Sequence, residues 1–345
     1  MILNTKANSL LFPLLLFTVL LSYSCKPDEE EVEPETHSGS KVLIANQGNF
    51  GWGEGTLSVY HQGSKTIENE VYKNTNDESL GNVFQSISQV NDKYYFVINN
   101  SGRLVVTDTN FTKIDDNTID FQSPRYFYQI DKFNGYMTDI YSGRIYIVDL
   151  ENNFSHATLE NNHWSENGVI LRDDFWYTAP ATNKIFSLNT KSHLYGDSIV
   201  VGEKPESIVL ANDGTIWVLC RGDESKNEKA QLTRVSIVGE EIYVVSIGLD
   251  GVPTSLTYDR KSNTLYYLQD GVHRLRIGED AEPVLWKSLS STTLYAAAVN
   301  PKTGDLYVSD VKDFVSKSTI YRFGSDGTLL DEFSAGIIAG DFFFP

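Results

Sequence analysis

The chain has 345 residues and a formal net charge of −18 at pH 7, with 28 Lys and Arg against 46 Asp and Glu. Phosphates would be repelled by so acidic a chain, which excludes nucleic acid as a partner. Two cysteines and six scattered histidines provide neither a disulfide framework nor a zinc-ligand spacing, so we expect no metal and no cofactor.

The first 24 residues are typical of a secretory signal peptide. They carry one charged side chain, Lys6, followed by an apolar block from Leu10 to Leu21. That block is too short for a spanning helix, which needs ~20 residues. The end of this signal peptide, Leu21-Ser22-Tyr23-Ser24-Cys25, resembles the bacterial lipobox. This resemblance implies cleavage before Cys25 and lipidation of its sulfur.

Residues 25–40 are predicted to form a lipidated start and a flexible, acidic tether. Pro, Glu and Ser dominate this segment and cannot bury enough apolar surface to fold. Lys26-Pro27-Asp28-Glu29-Glu30-Glu31 also resembles the export signal of Bacteroidetes surface lipoproteins. The resemblance implies a protein anchored on the outside of the outer membrane.

The body, residues 41–345, contains a repeated pattern of short strands separated by turns rich in Gly, Asn and Asp. One aligned column is mostly aromatic and recurs at intervals of 40 to 52 residues: Leu43, Tyr95, Tyr136, Trp176, Trp217, Tyr266 and Tyr307. A second column, in the strand that follows, is aliphatic throughout: Leu57, Leu104, Ile145, Ile185, Leu232, Val272 and Ile320. A pair of ordinary β-sandwiches would explain the strands but not the shared period.

A period of about 40 residues with several strands per unit predicts an all-β, seven-bladed β-propeller. The predicted blades are residues 41–78, 80–120, 123–160, 164–202, 204–250, 252–288 and 291–335. The remaining tail, "AGIIAGDFFFP", is predicted to supply the innermost strand of the first blade. This pairing would close the ring and leave no sheet edge open.

Three long loops between second and third strands mark one face of the predicted ring as the functional face. They run from Asn46 to Gly55, from Arg221 to Ala230 and from Asp310 to Ser318. Binding residues concentrate on loops held by a rigid scaffold, and exposed aromatic rings on such loops favour a binding role. With the links between blades, these loops supply the candidate ligand-binding residues: Asn46, Gln47, Asn49, Phe50, Trp52, Arg125, Tyr126, Trp164 and Tyr295.

The opening "VLIANQGNFGWGEGTLSVY" and the closing "SAGIIAGDFFF" resemble the YncE-like propeller lipoproteins of Bacteroidetes. That group includes BtuG, the surface proteins that capture cobalamin for a TonB-dependent outer-membrane transporter. The resemblance implies a small-molecule ligand, with a corrinoid as the first expectation, a transporter as partner, and no enzymatic activity. The aromatic candidates would pack on the corrin ring, and Asn46, Gln47, Asn49 and Arg125 would bind its amides and phosphate.

Two other classes of function remain open from the residues. A metal-dependent propeller enzyme of the lactonase or lyase type would need carboxylates that converge on the axis. Asp139, Asp270 and Asp310 lie at the ends of predicted second strands, where they could do so or could cap loops. An adhesion or scaffold protein would instead use the same loops to hold a protein partner.

Overall fold

Twenty-eight strands and one short α-helix make up the region that the computed structural model describes, residues 40–117, 121–290 and 293–345. The predicted signal peptide, Cys25 and the tether up to residue 39 lie outside this region. No helix of the described residues is long and apolar enough to cross a bilayer.

The strands follow one another in blade order along the chain. Blades 1 and 2 contain β1 (Lys41–Asn46), β2 (Thr56–His61), β3 (Thr66–Glu68), β4 (Phe84–Val90), β5 (Lys93–Ile98), β6 (Arg103–Asp108) and β7 (Lys113–Asn117), with helix α1 (Val71–Asn76) between β3 and β4. Blades 3 and 4 contain β8 (Pro124–Gln129), β9 (Asn134–Asp139), β10 (Arg144–Asp149), β11 (Phe154–Glu160), β12 (Gly168–Leu171), β13 (Asp174–Ala179), β14 (Lys184–Asn189) and β15 (Tyr195–Val200).

The last three blades follow the same plan. Blade 5 contains β16 (Pro205–Leu210), β17 (Ile216–Cys220), β18 (Gln231–Val238) and β19 (Glu241–Gly248), with one 3-10 turn (Glu224–Lys226) before β18. Blades 6 and 7 contain β20 (Thr254–Asp259), β21 (Thr264–Leu268), β22 (Val272–Arg276), β23 (Val284–Lys287), β24 (Leu294–Val299), β25 (Leu306–Asp310), β26 (Lys317–Phe323) and β27 (Leu329–Ile337). The final strand is β28 (Ala339–Phe343).

Seven four-stranded antiparallel sheets form, and the first of them has the order β28-β1-β2-β3. Leu43 pairs with Phe343 and Ile44 with Phe342 across this closure. The seven-bladed propeller and its closure by the C-terminal strand are therefore confirmed. The closing strand is shorter than predicted, because β27 of the last blade continues to Ile337.

Among the described residues the hydrophobic core is divided into seven clusters, one between each pair of neighbouring blades. Every residue of the two predicted columns lies in a second or third strand and is at most 5% exposed. The cluster between the last and first blades includes Tyr307 and Tyr60, whose ring centroids are 6.3 Å apart. Each large apolar side chain buried in this way stabilises the fold by ~1.5–3 kcal/mol, so the columns hold neighbouring blades together.

Candidate functional site

A central cavity of about 770 Å³ lies where the innermost strands of the blades meet. Each of those strands, or the two residues before it, contributes to the wall: Gln85, Arg125, Tyr126, Glu166, Asn167, Glu206, Ser207, Thr254, Ser255, Leu256, Tyr295 and Asp341. Gln47 and Phe314, from long loops of the first and last blades, also line it. The cavity therefore opens on the face that the long loops predicted as functional.

β-Bulges in the innermost strands expose the lining residues. The pairing of β4 with β5 skips Gln85, and the pairing of β16 with β17 skips Glu206. The pairing of β8 with β9 likewise skips Arg125 and Tyr126. A bulge leaves one or two residues without a partner and changes the direction of their side chains, often next to a binding site. The ring thus repeats one local irregularity to build one polar cavity.

Arg125 is the only cation on an innermost strand among the described cavity residues, and its charge is already paired. Its Nε lies 2.7 Å and its Nη2 2.5 Å from Oε1 of Glu166, while its Nη1 donates to Gln85. Burial alone would lower the pKa of Arg125, but the adjacent Glu166 carboxylate raises it above the ordinary value. The guanidinium therefore stays charged and fixes the link before β12 against β8.

Two further carboxyl groups line the cavity, and neither forms an ion pair with a described residue. Oδ2 of Asp341 accepts a hydrogen bond of 3.0 Å from the backbone N–H of Ile87. Burial raises the pKa of Asp341 to about 6. Burial also raises the pKa of Glu206, although the Thr254 hydroxyl donates to its Oε1. The Oε2 atom of Glu206 is buried without a hydrogen-bond partner among the described atoms.

Aromatic side chains form the apolar part of the wall. Tyr126 lies beside Tyr128, with ring centroids 6.4 Å apart. The Tyr295 hydroxyl donates to Oε1 of Gln47 over 3.0 Å, and its ring lies 6.0 Å from Phe314 in an edge-on contact. Burial raises the pKa of Tyr126 and of Tyr295, so both hydroxyls stay protonated. The cavity therefore offers hydroxyl groups and ring faces together.

The loop between β1 and β2 presents two aromatic rings to solvent. Phe50 is 70% exposed and Trp52 is 94% exposed. Two hydrogen bonds tie this loop to Asn82, because Nδ2 of Asn82 donates to the backbone carbonyl of Asn49 over 2.8 Å and to that of Gly53. Aromatic groups that are exposed on a well-bonded loop are a common feature of binding surfaces.

The structure brings four of the nine predicted binding residues to the cavity wall: Gln47, Arg125, Tyr126 and Tyr295. Phe50, Trp52 and Asn49 lie further out in the same loop as Gln47. Trp164 is 41% exposed and precedes Glu166 by two residues, with its ring 5.5 Å from Tyr141.

Asn46 has a different place from the other eight candidates. It is fully buried, and its amide donates to the Ser58 hydroxyl over 2.8 Å. Its carbonyl oxygen accepts from the N–H of Gly336 over 2.9 Å. Its polar groups are therefore engaged inside the protein, where they support the loop.

A groove of about 620 Å³ lies beside the cavity at blade 5 and shares Lys204, Arg221 and Val252 with it. The long loop 221–230 forms one side of the groove. Lys204 lies 3.2 Å from Oδ1 of Asp223, whereas the exposed Arg221 has no ion pair within the described region. Arg221 is therefore a cation available to a ligand at the junction of groove and cavity.

The carboxylates considered for a central metal do not line the cavity. Oδ1 of Asp139 accepts 2.8 Å hydrogen bonds from the N–H groups of Tyr141 and Ser142, and Oδ1 of Asp310 accepts one of 2.9 Å from Lys312. Asp139 and Asp310 thus cap loops. Within the described ranges, no group of three His, Cys, Asp or Glu side chains could hold a metal ion.

Sequence reasoning missed four of the polar lining residues: Gln85, Glu166, Glu206 and Asp341. A signal for such positions was present in two blades, where a proline opens an innermost strand and a charged residue follows. Pro124 precedes Arg125 in this way, and Pro205 precedes Glu206. Glu166 and Asp341 carry no such signal, because only the assembled ring brings them to the axis.

The fold and the site together define a seven-bladed β-propeller with a polar central cavity that opens on one face. Residues 40–345, most of the chain, match the model of one protein family, described as a domain of unknown function (DUF5074). The chain belongs to that family. No curated protein matches the sequence.

Solved structures share the fold at low sequence identity. A quinoprotein alcohol dehydrogenase-like protein of Bacteroides thetaiotaomicron has a TM-score of 0.70 at 14% identity, covering 89% of this chain and 78% of that one. A candidate 6-phosphogluconolactonase of Bacteroides fragilis has a TM-score of 0.65 at 11% identity, covering 91% and 100%. An inactive virginiamycin B lyase of Staphylococcus aureus, solved with quinupristin, has a TM-score of 0.56 at 12% identity, covering 77% and 91%. At these identities the likeness concerns the fold alone.

Proposed function

We propose that this protein is a ligand-capture lipoprotein of the outer cell surface, which binds a small molecule and delivers it to a TonB-dependent outer-membrane transporter. The observation that carries the binding role is the central cavity, where bulged innermost strands expose polar side chains. Its volume, about 770 Å³, lies within the ~300–1,000 Å³ that is usual for small-molecule sites. The exposed Phe50 and Trp52 extend the apolar surface of the same face.

A corrinoid is the ligand that we propose. It is a broad disc fringed with amides, and a disc of this kind would lie across the cavity mouth. The rings of Tyr126 and Tyr295 would contact its apolar surface, and the polar wall would bind its amides. Since Arg125 is already paired with Glu166, the exposed Arg221 at the groove is better placed to contact a phosphate. Most of the lining residues lie on strands of the ring or directly before them, and preorganisation of this kind favours tight capture.

Binding rather than catalysis is the role that we assign to the cavity. The polar groups come from paired strands or from the residues just before them, and the Arg125–Glu166 ion pair links two neighbouring blades across the wall. The long loops on the same face give a partner protein a surface to contact. A transporter as partner, and an anchor on Cys25, are inferred from the resemblance of the sequence to surface lipoproteins.

Calorimetric titration of the mature protein with cyanocobalamin tests the ligand. We expect saturable heat and a higher melting temperature, because a ligand that binds only the folded state stabilises it. The same titration is carried out with the variant Tyr126→Ala, which removes a ring from the cavity wall and should therefore weaken binding. Absence of heat and of any melting shift at tens of micromolar would refute the corrinoid assignment.

The location is tested by protease treatment of intact cells. We expect wild-type protein to be digested at the surface, and Cys25→Ala to release the protein from the membrane fraction. Replacing Asp28 to Glu31 by alanines should keep the protein on the membrane but protected from protease. A wild-type protein that survives protease on intact cells would contradict the proposed location.

A further inference from the structure

Two carboxyl groups in the central cavity form no salt bridge in the described structure, although the charge of Arg221 acts on Glu206 at longer range. Glu206 lies at the bulge of β16, and Asp341 lies on the closing strand β28. The third carboxylate of the wall, Glu166, differs from them because Arg125 neutralises it. The polar wall near the axis therefore carries one neutralised ion pair and two unpaired acceptors.

Each unpaired group is only partly satisfied by the protein. Asp341 accepts from the Ile87 N–H over 3.0 Å, and the Phe342 backbone N–H also approaches its carboxyl group. Glu206 accepts from the Thr254 hydroxyl through Oε1 and is approached by the Ser255 backbone N–H, whereas its buried Oε2 atom makes no hydrogen bond of normal geometry with the described chain. A buried carboxyl group that lacks hydrogen bonds is destabilising. Such a group persists most readily where a ligand supplies the missing donors.

From these contacts we infer that Glu206 and Asp341 form an acceptor subsite, which selects ligands that bring N–H donors, either amide or ammonium groups, into the cavity. This inference rests on the proposed binding role of the cavity and adds the chemical class of its ligand. The two groups come from different blades and line one cavity, so a ligand with several donors could contact both. Carboxylates bind such donors through strong, charge-assisted hydrogen bonds.

The test compares wild type with Glu206→Gln and Asp341→Asn, each of which keeps the shape and the carbonyl acceptor of the native side chain. Two probes are titrated at 150 mM salt, which screens non-specific attraction to the acidic surface. Cyanocobalamin carries neutral amides, and spermidine carries ammonium groups. The control is Asp131→Asn, because Asp131 lies between β8 and β9, away from the cavity lining, and accepts backbone hydrogen bonds that Asn can also accept.

We expect each cavity variant to weaken binding by about 5- to 10-fold, because the amide carbonyl still accepts the ligand's N–H but the charge that roughly doubles the strength of that hydrogen bond is lost. Asp131→Asn should bind like wild type. Thermal melts of all variants identify any substitution that acts by unfolding the protein. If one of the two cavity variants is unfolded, the other one decides the result.

The outcomes separate this inference from the proposed ligand. If cyanocobalamin binds wild type and both cavity variants equally, the acceptor subsite is overturned and the corrinoid proposal stands. If only spermidine binds, and the variants lose it, the subsite is supported and the corrinoid proposal fails. If neither probe binds at millimolar concentration, both are overturned.

Discussion

Replacing Asp341 by Asn should make the protein more stable at neutral pH, because the native carboxyl group is held in an unfavourable place. Burial raises its pKa from the ordinary 3.8 to about 6. A shift of about two pH units corresponds to about 3 kcal/mol of preference for the protonated form. The cavity is open to solvent, which screens the charge, so about 3 kcal/mol is an upper bound on the effect.

The direction of the pH dependence follows from proton binding. Between pH 3.8 and about 6 the folded protein keeps the Asp341 proton and the unfolded chain has lost it. Stability falls with pH wherever the folded state binds more protons. The contribution of Asp341 to the free energy of unfolding is therefore greatest below pH 4 and is lost as the pH rises to about 6.

The Asn variant cannot ionise and should show no such loss. It should melt close to wild type at pH 4 and about 5 °C higher at pH 7.5, since ~1 kcal/mol shifts the melting temperature by ~2 °C in a domain of this size. The Asn carbonyl can still accept from Ile87, so the closure is kept. The other ionisable groups of the inner wall are common to both proteins: Arg125, Tyr126, Glu166, Glu206 and Tyr295.

The assay is thermal unfolding of wild type and Asp341→Asn from pH 4 to pH 8. The control is Asp326→Asn, because hydrogen bonds from Thr328 lower the pKa of Asp326. Asp326→Asn should have a lower melting temperature than wild type at pH 7.5, and this difference in melting temperature should disappear at low pH. A destabilised Asp341→Asn at pH 7.5, or a difference that does not change with pH, would refute the reasoning.

Three further predictions concern stability and binding. Glu166→Gln leaves Arg125 without its anionic partner, so we expect a loss of about 3 kcal/mol in denaturant titration. The exposed pair of Glu160 with Arg144 serves as control, and Glu160→Gln should cost less than ~1 kcal/mol; equal losses would contradict the role of burial. Deleting residues 336–345 removes β28, and size-exclusion chromatography should show aggregation, whereas melting like the full chain would mean that β28 does not close the ring. Trp52→Ala should leave the melting temperature unchanged but weaken cyanocobalamin binding by roughly 1–4 kcal/mol, and unaltered calorimetry would exclude Trp52 as an anchor.

The architecture was readable from the sequence because its cause is local and repeated. Residues such as Tyr136 and Ile145 lie in short strands that are buried on both faces and bounded by turns, and the same pair recurs in seven blades. Each pair must be buried against the next blade, which fixes the strands and the ring. The unpaired apolar tail required a partner strand, and only the first blade lacked one.

The positions of the long loops could also be predicted from the sequence. Their lengths, measured between the two columns, indicated which blades have insertions, and strand alternation placed those insertions on one face. Gln47 was found in this way, and Arg125, Tyr126 and Tyr295 were found in the links between blades on the same face. All four line the cavity. The exposure of Trp52 follows equally from its place among glycines in a loop.

The chemistry of the cavity was decided by the tertiary structure. Arg125 was predicted as a ligand contact, yet its charge is paired with Glu166, which is 41 residues further along the chain and in the next blade. Asp341 reaches the axis because closure of the ring brings the chain end beside Ile87, 254 residues away in sequence. A repeating pattern determines which residues are buried between blades, but bulges and ring closure determine which charges meet at the centre.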